Sequence, residues 1–397
     1  MNHFNTVFDR SNTNAEKYTL REKLYKTTDV LPMWVADMDI ATPSFIMDDL
    51  KTRLSHCILG YEEFPLSAKI AQINWMKKSH GFNINVDDIL FSPSVVTSIN
   101  LAIKTFTKEE DEVIVQPPVY FPFYSSITNN NRKILRNPLK RDSDGDYTFD
   151  FEDLKSKITP KTKLLLLCSP HNPVGRVWSR DELIKLSQIC LDNNIKVFAD
   201  EIHSDLVYSG FKHTPFASLN KMVSDITITA LGVGKTFNLA GIATSTVVIQ
   251  NQKLREKFKK EYDSFHLAEG NVFGHIAFES AYTNGRQWKD KLIVHLESNI
   301  QKLYNMLENH KDKIKFNKPQ GTYLVWLDCS GMNLKNKHLR DFFVDDAKLG
   351  LSAGTSFGKE GSKYMRINIA VPTSIMDKAI ARLENGLNSF VQKEKIK

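Results

Sequence analysis

Apolar and polar positions along the chain follow two different rhythms, and the change of rhythm outlines the architecture. Through the centre, short apolar runs recur: DEVIVQPP (111–118), TKLLLLCSP (162–170), NIKVFADEI (194–202), SDITITAL (224–231) and STVVIQ (245–250). Each has strand length, is rich in β-branched or aliphatic residues, and ends in a turn. Between them lie amphipathic stretches such as SRDELIKLSQICLDNN (179–194), where Ser179 and Glu182 have the spacing of a capping box. Strands that alternate with helices predict an α/β fold with a mostly parallel central sheet and helices on both faces. In such sheets ligands gather at the carboxyl ends of the strands.

After residue 285 the pattern changes. KDKLIVHLESNIQKLYNMLENH (289–310) reads as one long amphipathic helix, GTYLVWLDC and YMRINIA as strands, and the chain from about Ser374 as a final helix. This predicts a large domain over residues 46–285 and a smaller α+β domain over 286–397, with residues 1–45 as an N-terminal segment packing with the small domain. There are no internal repeats and no low-complexity tracts.

Composition adds limits. A chain of 397 residues is long enough for two domains, and 41% hydrophobic and 25% charged residues are ordinary for a globular enzyme. The net charge of +7 is spread out, and its denser runs, KFKKEY and QKEKIK, are not interleaved with aromatics. No nucleic-acid role is expected. Cys57, Cys168, Cys190 and Cys329 lie far apart without a C-x-x-C pair, which fits reduced thiols and neither a disulfide framework nor a metal site. No apolar window approaches the length of a membrane span, and the N-terminus lacks a signal-peptide core, so the expected location is cytoplasmic.

The candidate chemistry lies just past the end of each strand. GVGKT (232–236) carries a Gly-Lys-Thr sequence, but a phosphate-binding loop needs glycine six residues before the lysine, and that position is Thr229. Lys235 is therefore read either as a solvated surface lysine after a turn or as a lysine with covalent chemistry of its own, and its partners decide between them. KVFA is followed by Asp200, with His203 close behind. LLLLC is followed by SPHNPVG, whose two prolines flank Asn172, and EVIVQPPVY delivers Tyr120. ILFSPSVVTSINLAIKTF reads as strand, Ser-Pro-Ser turn and helix start, a place for a phosphate. Taken singly, these residues have plainer readings: a helix cap or ion pair for Asp200, a turn for Asn172. Taken together, a lysine, an acid, an amide, a ring and an anion site suit pyridoxal phosphate, which needs a lysine amine for its aldehyde and a carboxylate at its ring nitrogen.

The chain also resembles the fold-type I pyridoxal-phosphate enzymes (the aspartate aminotransferase-like fold), and within them the MalY/PatB-type cystathionine β-lyases, or cysteine–sulfur lyases. The matching blocks run in order over nearly the whole chain: LPMWVADMDIATP, LGYEEFP, SPSVVTSIN, QPPVYFPFY, CSPHNPVGRVW, ADEIHSDLVY, GKTFNLAGIATS, AYTNGRQWKDKL, PQGTYLVWLDC and GTSFGKEGSKYMRINIA. WVADMD together with GKTFNLAG is particular to that subfamily. The resemblance implies that Lys235 is the Schiff-base lysine and the base at the substrate Cα. It places Asp200 at the pyridine nitrogen, Asn172 at the ring oxygen and beside the substrate with His203 nearby, and Tyr120 stacked on the ring. Val95 and Val96 would offer backbone N–H groups to the phosphate, and Arg366 would pair with the substrate α-carboxylate. Tyr61 would reach cofactor phosphate and substrate from a neighbouring subunit, which implies a homodimer with active sites at the subunit interface.

The sequence departs from the family at Gly232 and Gly234, where serines are frequent, and at Ile40, where phenylalanine is more usual. Position 243, eight beyond the lysine, is alanine, whereas aminotransferases commonly carry arginine there. The resemblance thus implies a carbon–sulfur β-lyase that cleaves cystathionine or other amino-acid thioethers to a thiol, pyruvate and ammonia. A class I/II aminotransferase is the alternative. A regulatory protein that keeps a lyase fold and acts through a protein partner is a further one.

Overall fold

A computed structural model describes residues 4–395. The chain forms two compact units, one made of Thr42–Asn172 and Arg176–Asp290, the other of the segment up to Ala41, Pro173–Gly175 and the chain from Lys291 onward.

The larger unit is built on a seven-stranded sheet. In spatial order its strands are Ile89–Ser92, Ser245–Val248, Thr227–Leu231, Lys196–Asp200, Thr162–Cys168, Glu112–Val115 and Lys133–Arg136. The last five run parallel to one another, while Ser245–Val248 is antiparallel to both of its neighbours. Parallel strands covered on both faces read as continuous apolar runs, which is why TKLLLLC and TITAL were visible in the sequence. Lys133–Arg136 was not anticipated. It is one of the two edge strands, only half-buried, and its sequence KILR begins and ends on a charge, so it lacks the apolar run that marks the central strands.

Helices cover both faces. On one face Ile99, Leu101, Phe123 and Phe258 pack against Val113, Val115, Leu164, Leu166, Phe198 and Ile228 of the sheet. On the other, Ile46, Trp75, Met76, Phe237 and Phe278 gather around Leu231 and Val248. The crossover helix Arg180–Asp192 starts on the capping box: Ser179 Oγ accepts from the Glu182 N–H at 3.2 Å, and Glu182 Oε2 accepts from the Ser179 N–H at 2.8 Å. Arg176 Nη2 then donates to both oxygens of Glu182, at 3.0 and 2.9 Å.

Register fixes where the functional loops begin. Cys168 is opposite Asp200, and Asp200 is opposite Ala230, so three central strands end level with one another. The loops that leave these ends carry Asn172, His203 and Lys235.

The smaller unit contains a three-stranded antiparallel sheet in the order Leu324–Asp328, Tyr364–Asn368, Ser352–Ala353, together with the helix Thr373–Lys395. The N-terminal segment joins it through a parallel pairing of Leu31–Pro32 with Leu349–Gly350.

Candidate functional site

Asp200 is the last residue of its strand and is 3% exposed. Burial pushes its carboxyl up to about 6, and the Glu201 charge adds to this. The Ile202 N–H, which donates to Asp200 Oδ1 at 3.2 Å, and the charge of Lys235 both oppose it. Lys235 therefore lies within electrostatic reach of Asp200. It sits in the turn after Thr227–Leu231, half-buried, and that turn is closed by Phe237 N–H to Val233 O and Leu239 N–H to Gly234 O, both 3.0 Å. A carboxylate this deeply buried calls for a cation or a protonated ring nitrogen beside it.

Asn172 lies 4% exposed in the loop after Thr162–Cys168, and its backbone N–H donates to Cys168 Sγ at 3.4 Å. In the same loop the Ser169 N–H donates to Asp200 O at 2.9 Å, and the Ser169 hydroxyl is buried without a hydrogen-bond partner. His203 is buried in the loop behind Asp200. Tyr120 precedes the helix Pro122–Thr128 and is held by ring contacts with Phe121 at 5.4 Å and Phe123 at 6.1 Å.

Val95 and Val96 are the first two residues of the helix Val95–Phe106. Its N-cap, Ser94, accepts from the Thr97 N–H at 3.1 Å. The opening N–H groups of a helix have no intrahelical acceptor and favour an anion. Ser92 and Ser98 brace this turn: Ser98 Oγ donates to Ser92 Oγ at 2.7 Å, and Ser92 Oγ to Ser94 O at 3.0 Å.

Two glycines precede the lysine for different reasons. A Cβ at Gly232 would stand 3.0 Å from both Ile202 Cδ1 and Ser245 Cβ, so this position is closed to a side chain unless those neighbours move. At Gly234 the nearest atom, Ala240 Cα, is 3.7 Å away, and a serine would fit. The buried acid, the amine within its field, the unpartnered buried hydroxyl and the helix start together fit the donor set that pyridoxal phosphate requires. Among the described residues no group of three or more His, Cys, Asp or Glu side chains is placed to hold a metal ion.

Tyr61 is 93% exposed, in the irregular segment 56–65 of the larger unit. Arg366 belongs to the smaller unit, in the middle of the central strand Tyr364–Asn368, and is 4% exposed. Its Nη2 donates to Trp34 O at 2.6 Å and to Ser352 Oγ at 3.3 Å, and its guanidinium lies 4.8 Å from the centre of the Phe357 ring.

The residues around Arg366 explain the WVADMD stretch. Every carbonyl from Met33 to Met38 accepts a hydrogen bond within this unit. Asn368 N–H meets Met33 O at 2.9 Å, and Asn368 Nδ2 meets Val35 O at 2.6 Å and Asp37 O at 2.5 Å. Ser352 Oγ shares Trp34 O with Arg366, Tyr323 Oη meets Ala36 O at 2.8 Å, and Arg10 Nη1 meets Met38 O at 3.4 Å. The two aspartates close a charged cluster. Asp37 and Asp39 each pair with Arg10, at 2.8 and 2.7 Å, and with Lys17, at 3.3 and 2.9 Å, and Lys17 is fully buried. Sequence reasoning missed Arg10 and Lys17, because one basic residue in a polar N-terminal stretch looks like any solvated one.

Known proteins give this arrangement its family. The pattern described as Aminotransferase class I and II matches residues 55–383. The cystathionine β-lyase PatB of Bacillus subtilis is 41% identical over 96% of this chain and 98% of its own length. A pyridoxal-phosphate-bound protein of Clostridium difficile 630, provisionally described as an aminotransferase, is 41% identical, with a TM-score of 0.95 over 97% of this chain and 99% of its own. Cystalysin of Treponema denticola, which contains pyridoxal 5'-phosphate, is 35% identical, with a TM-score of 0.94 over 97% and 98%. The chain belongs to the pyridoxal-phosphate-dependent class I and II aminotransferase family. Within that family it stands with the carbon–sulfur lyases that include PatB.

Proposed function

We propose that this chain is a pyridoxal-phosphate-dependent carbon–sulfur β-lyase acting on cystathionine or a related cysteine thioether. The observation that carries the reading is the pair formed by buried Asp200, its carboxyl pushed up to about 6, and Lys235 on the neighbouring strand end. It is supported by the PatB likeness over nearly the full chain.

When bound, the cofactor supplies a ring that accepts the negative charge developed at the substrate Cα. Asp200 would hold the ring nitrogen in its protonated form, and that cation would offset the cost of its burial. Asn172 would donate to the ring oxygen with His203 nearby, Tyr120 would stack on the ring, and the N–H groups of Val95 and Val96 would hold the phosphate. Arg366 would pair with the substrate α-carboxylate in a bidentate grip, and Asn172 would orient the Cα–H bond toward Lys235. The amine of Lys235 removes that proton. Loss of the thiolate from Cβ and hydrolysis of the remainder convert cystathionine and one water into homocysteine, pyruvate and ammonia.

The working form is a homodimer in which Tyr61 serves the site of the other copy. Supporting this, Tyr61 is exposed together with Leu54, Ile58, Leu59 and Leu66, a run of apolar side chains that a second subunit would cover. The described residues contain no helix long and apolar enough to cross a membrane, and all four cysteines are free thiols, which suits the reducing cytoplasm.

The test is pyruvate release from cystathionine with no keto acid present, using Lys235→Ala as the control. Pyruvate that disappears in the variant is the expected result. A lysine-dependent visible band without pyruvate turns the reading toward transamination, the activity named for the C. difficile relative.

A further inference from the structure

Five residues beyond Asp200, a second buried aspartate stands apart from the groups assigned to cofactor and substrate. Asp205 is enclosed within the larger unit and accepts three side-chain hydrogen bonds. Trp75 Nε1 and His80 Nε2 meet its Oδ1 at 2.8 and 2.9 Å, and Thr236 Oγ1 meets its Oδ2 at 3.2 Å. Burial pushes its carboxyl up, but the hydrogen bond and charge of His80, the Trp75 N–H and the Lys289 charge outweigh it and hold the group below the ordinary carboxylate range. It therefore stays an anion.

The three donors come from different parts of the unit. Trp75 and His80 belong to the helix Leu66–His80, and Thr236 directly follows Lys235. Asp205 itself leaves the same strand end as Asp200 and His203. The indole is wedged in place by Phe237 at 5.9 Å and Tyr282 at 5.5 Å, with the Arg286 guanidinium 5.2 Å from its centre. On the far side the His80 ring meets His213 edge-on at 5.4 Å, and His213 Nε2 lies 3.1 Å from Glu201 Oε2. Glu201 is the residue next to Asp200, and its other oxygen accepts from the Phe216 N–H at 2.7 Å.

The lysine turn is closed along its own backbone by the bonds to Val233 O and Gly234 O. Those bonds fix its shape, and Val233 and Phe237 anchor it in the apolar core. The Thr236 hydroxyl, fully buried, adds a polar tie to Asp205 on the loop that leaves the Asp200 strand.

We propose that Asp205 is a positioning residue of the reaction: through Thr236 it locks the Lys235 turn to the strand end that carries Asp200. The inference rests on the assignment of Lys235 as the reacting amine. Asp205 is not among the groups assigned to cofactor or substrate, and its hydrogen bonds run to Trp75, His80 and Thr236. Its effect passes through one hydroxyl, and a small misplacement of a reacting group costs rate more than binding.

Thr236→Val keeps the shape of the side chain and deletes the hydroxyl, whereas Thr236→Ser keeps the hydroxyl. In the cofactor-loaded enzyme, Thr236→Val is expected to lower kcat about 10- to 100-fold while KM stays within about twofold. It also shifts the pH midpoint of the visible band formed by cofactor and lysine. Thr236→Ser restores both, and Asp205→Asn repeats the loss. If Asp205→Asn does not fold, the Thr236 pair still decides. A Thr236→Val enzyme with a lowered unfolding temperature but wild-type kcat and band midpoint marks a purely structural link and overturns the inference. A wild-type protein lacking any visible band that Lys235→Ala abolishes would instead sink the assignment of Lys235, and this inference with it.

Discussion

Asp200 shows what a single residue of this site costs without its partner. Its pKa is raised to about 6 from an ordinary 3.8, so the folded protein binds the proton more tightly than the unfolded chain does. The sign follows by linkage: the penalty is absent below the unfolded value, grows between pH 4 and 6, and is complete above 6. In cofactor-free protein Asp200→Asn should therefore raise stability at pH 8 by roughly 3 kcal/mol, and the gain should vanish near pH 4. Urea unfolding at the two pH values checks this, while cofactor titration of the same variant should show weakened binding. Asp200, Asn172 and Lys235 could be picked out from sequence because each follows a recognisable strand. Asp205 and Thr236 could not, although both lie in stretches singled out as matching the family. Hydrogen bonds between a helix and two loops leave no periodic trace in a chain.

Among the elements, the Met33–Met38 strap is irregular, yet each of its carbonyls accepts a hydrogen bond. It has no repeating pattern of its own, and the N–H and O–H donors that satisfy it come from Arg10, Tyr323, Ser352, Arg366 and Asn368. Its charged anchor is the fully buried ammonium of Lys17 between Asp37 and Asp39. Lys17→Met leaves two aspartates with Arg10 alone, and should cost about 3 kcal/mol in urea unfolding, with little dependence on salt because the pair is enclosed. Regular elements with an apolar face were legible: the central strands, the Ser179 capping box and the final helix all announced themselves. The edge strand Lys133–Arg136 and the strap did not, since the first is half solvated and the second takes its shape from residues hundreds of positions away.

For the whole molecule, the proposed homodimer makes a distinct prediction. If Tyr61 serves the opposite site, a hybrid of one Tyr61→Ala subunit and one Lys235→Ala subunit has one site with both residues intact. Mixing the two inactive variants one to one, with subunit exchange, should then restore about a quarter of wild-type activity. If each site is built within its own subunit, the mixture stays inactive. The smaller unit takes the chain from Lys291 onward together with the segment up to Ala41. The gathering of Pro173–Gly175 into the smaller unit is a three-residue detail that no rhythm encodes.

The strap also has a consequence in time. The side chains of Tyr323, Ser352, Arg366 and Asn368 lie 287 to 333 positions after the carbonyls of Trp34 to Asp37 that they hold. At translation rates of about 5–20 residues per second, Trp34 to Asp37 leave the ribosome on the order of 15–60 seconds before those partners exist. The strap is made well before the side chains that hold it, so a nascent chain that stalls before residue 323 has no Tyr323, Ser352, Arg366 or Asn368 to bind its carbonyls.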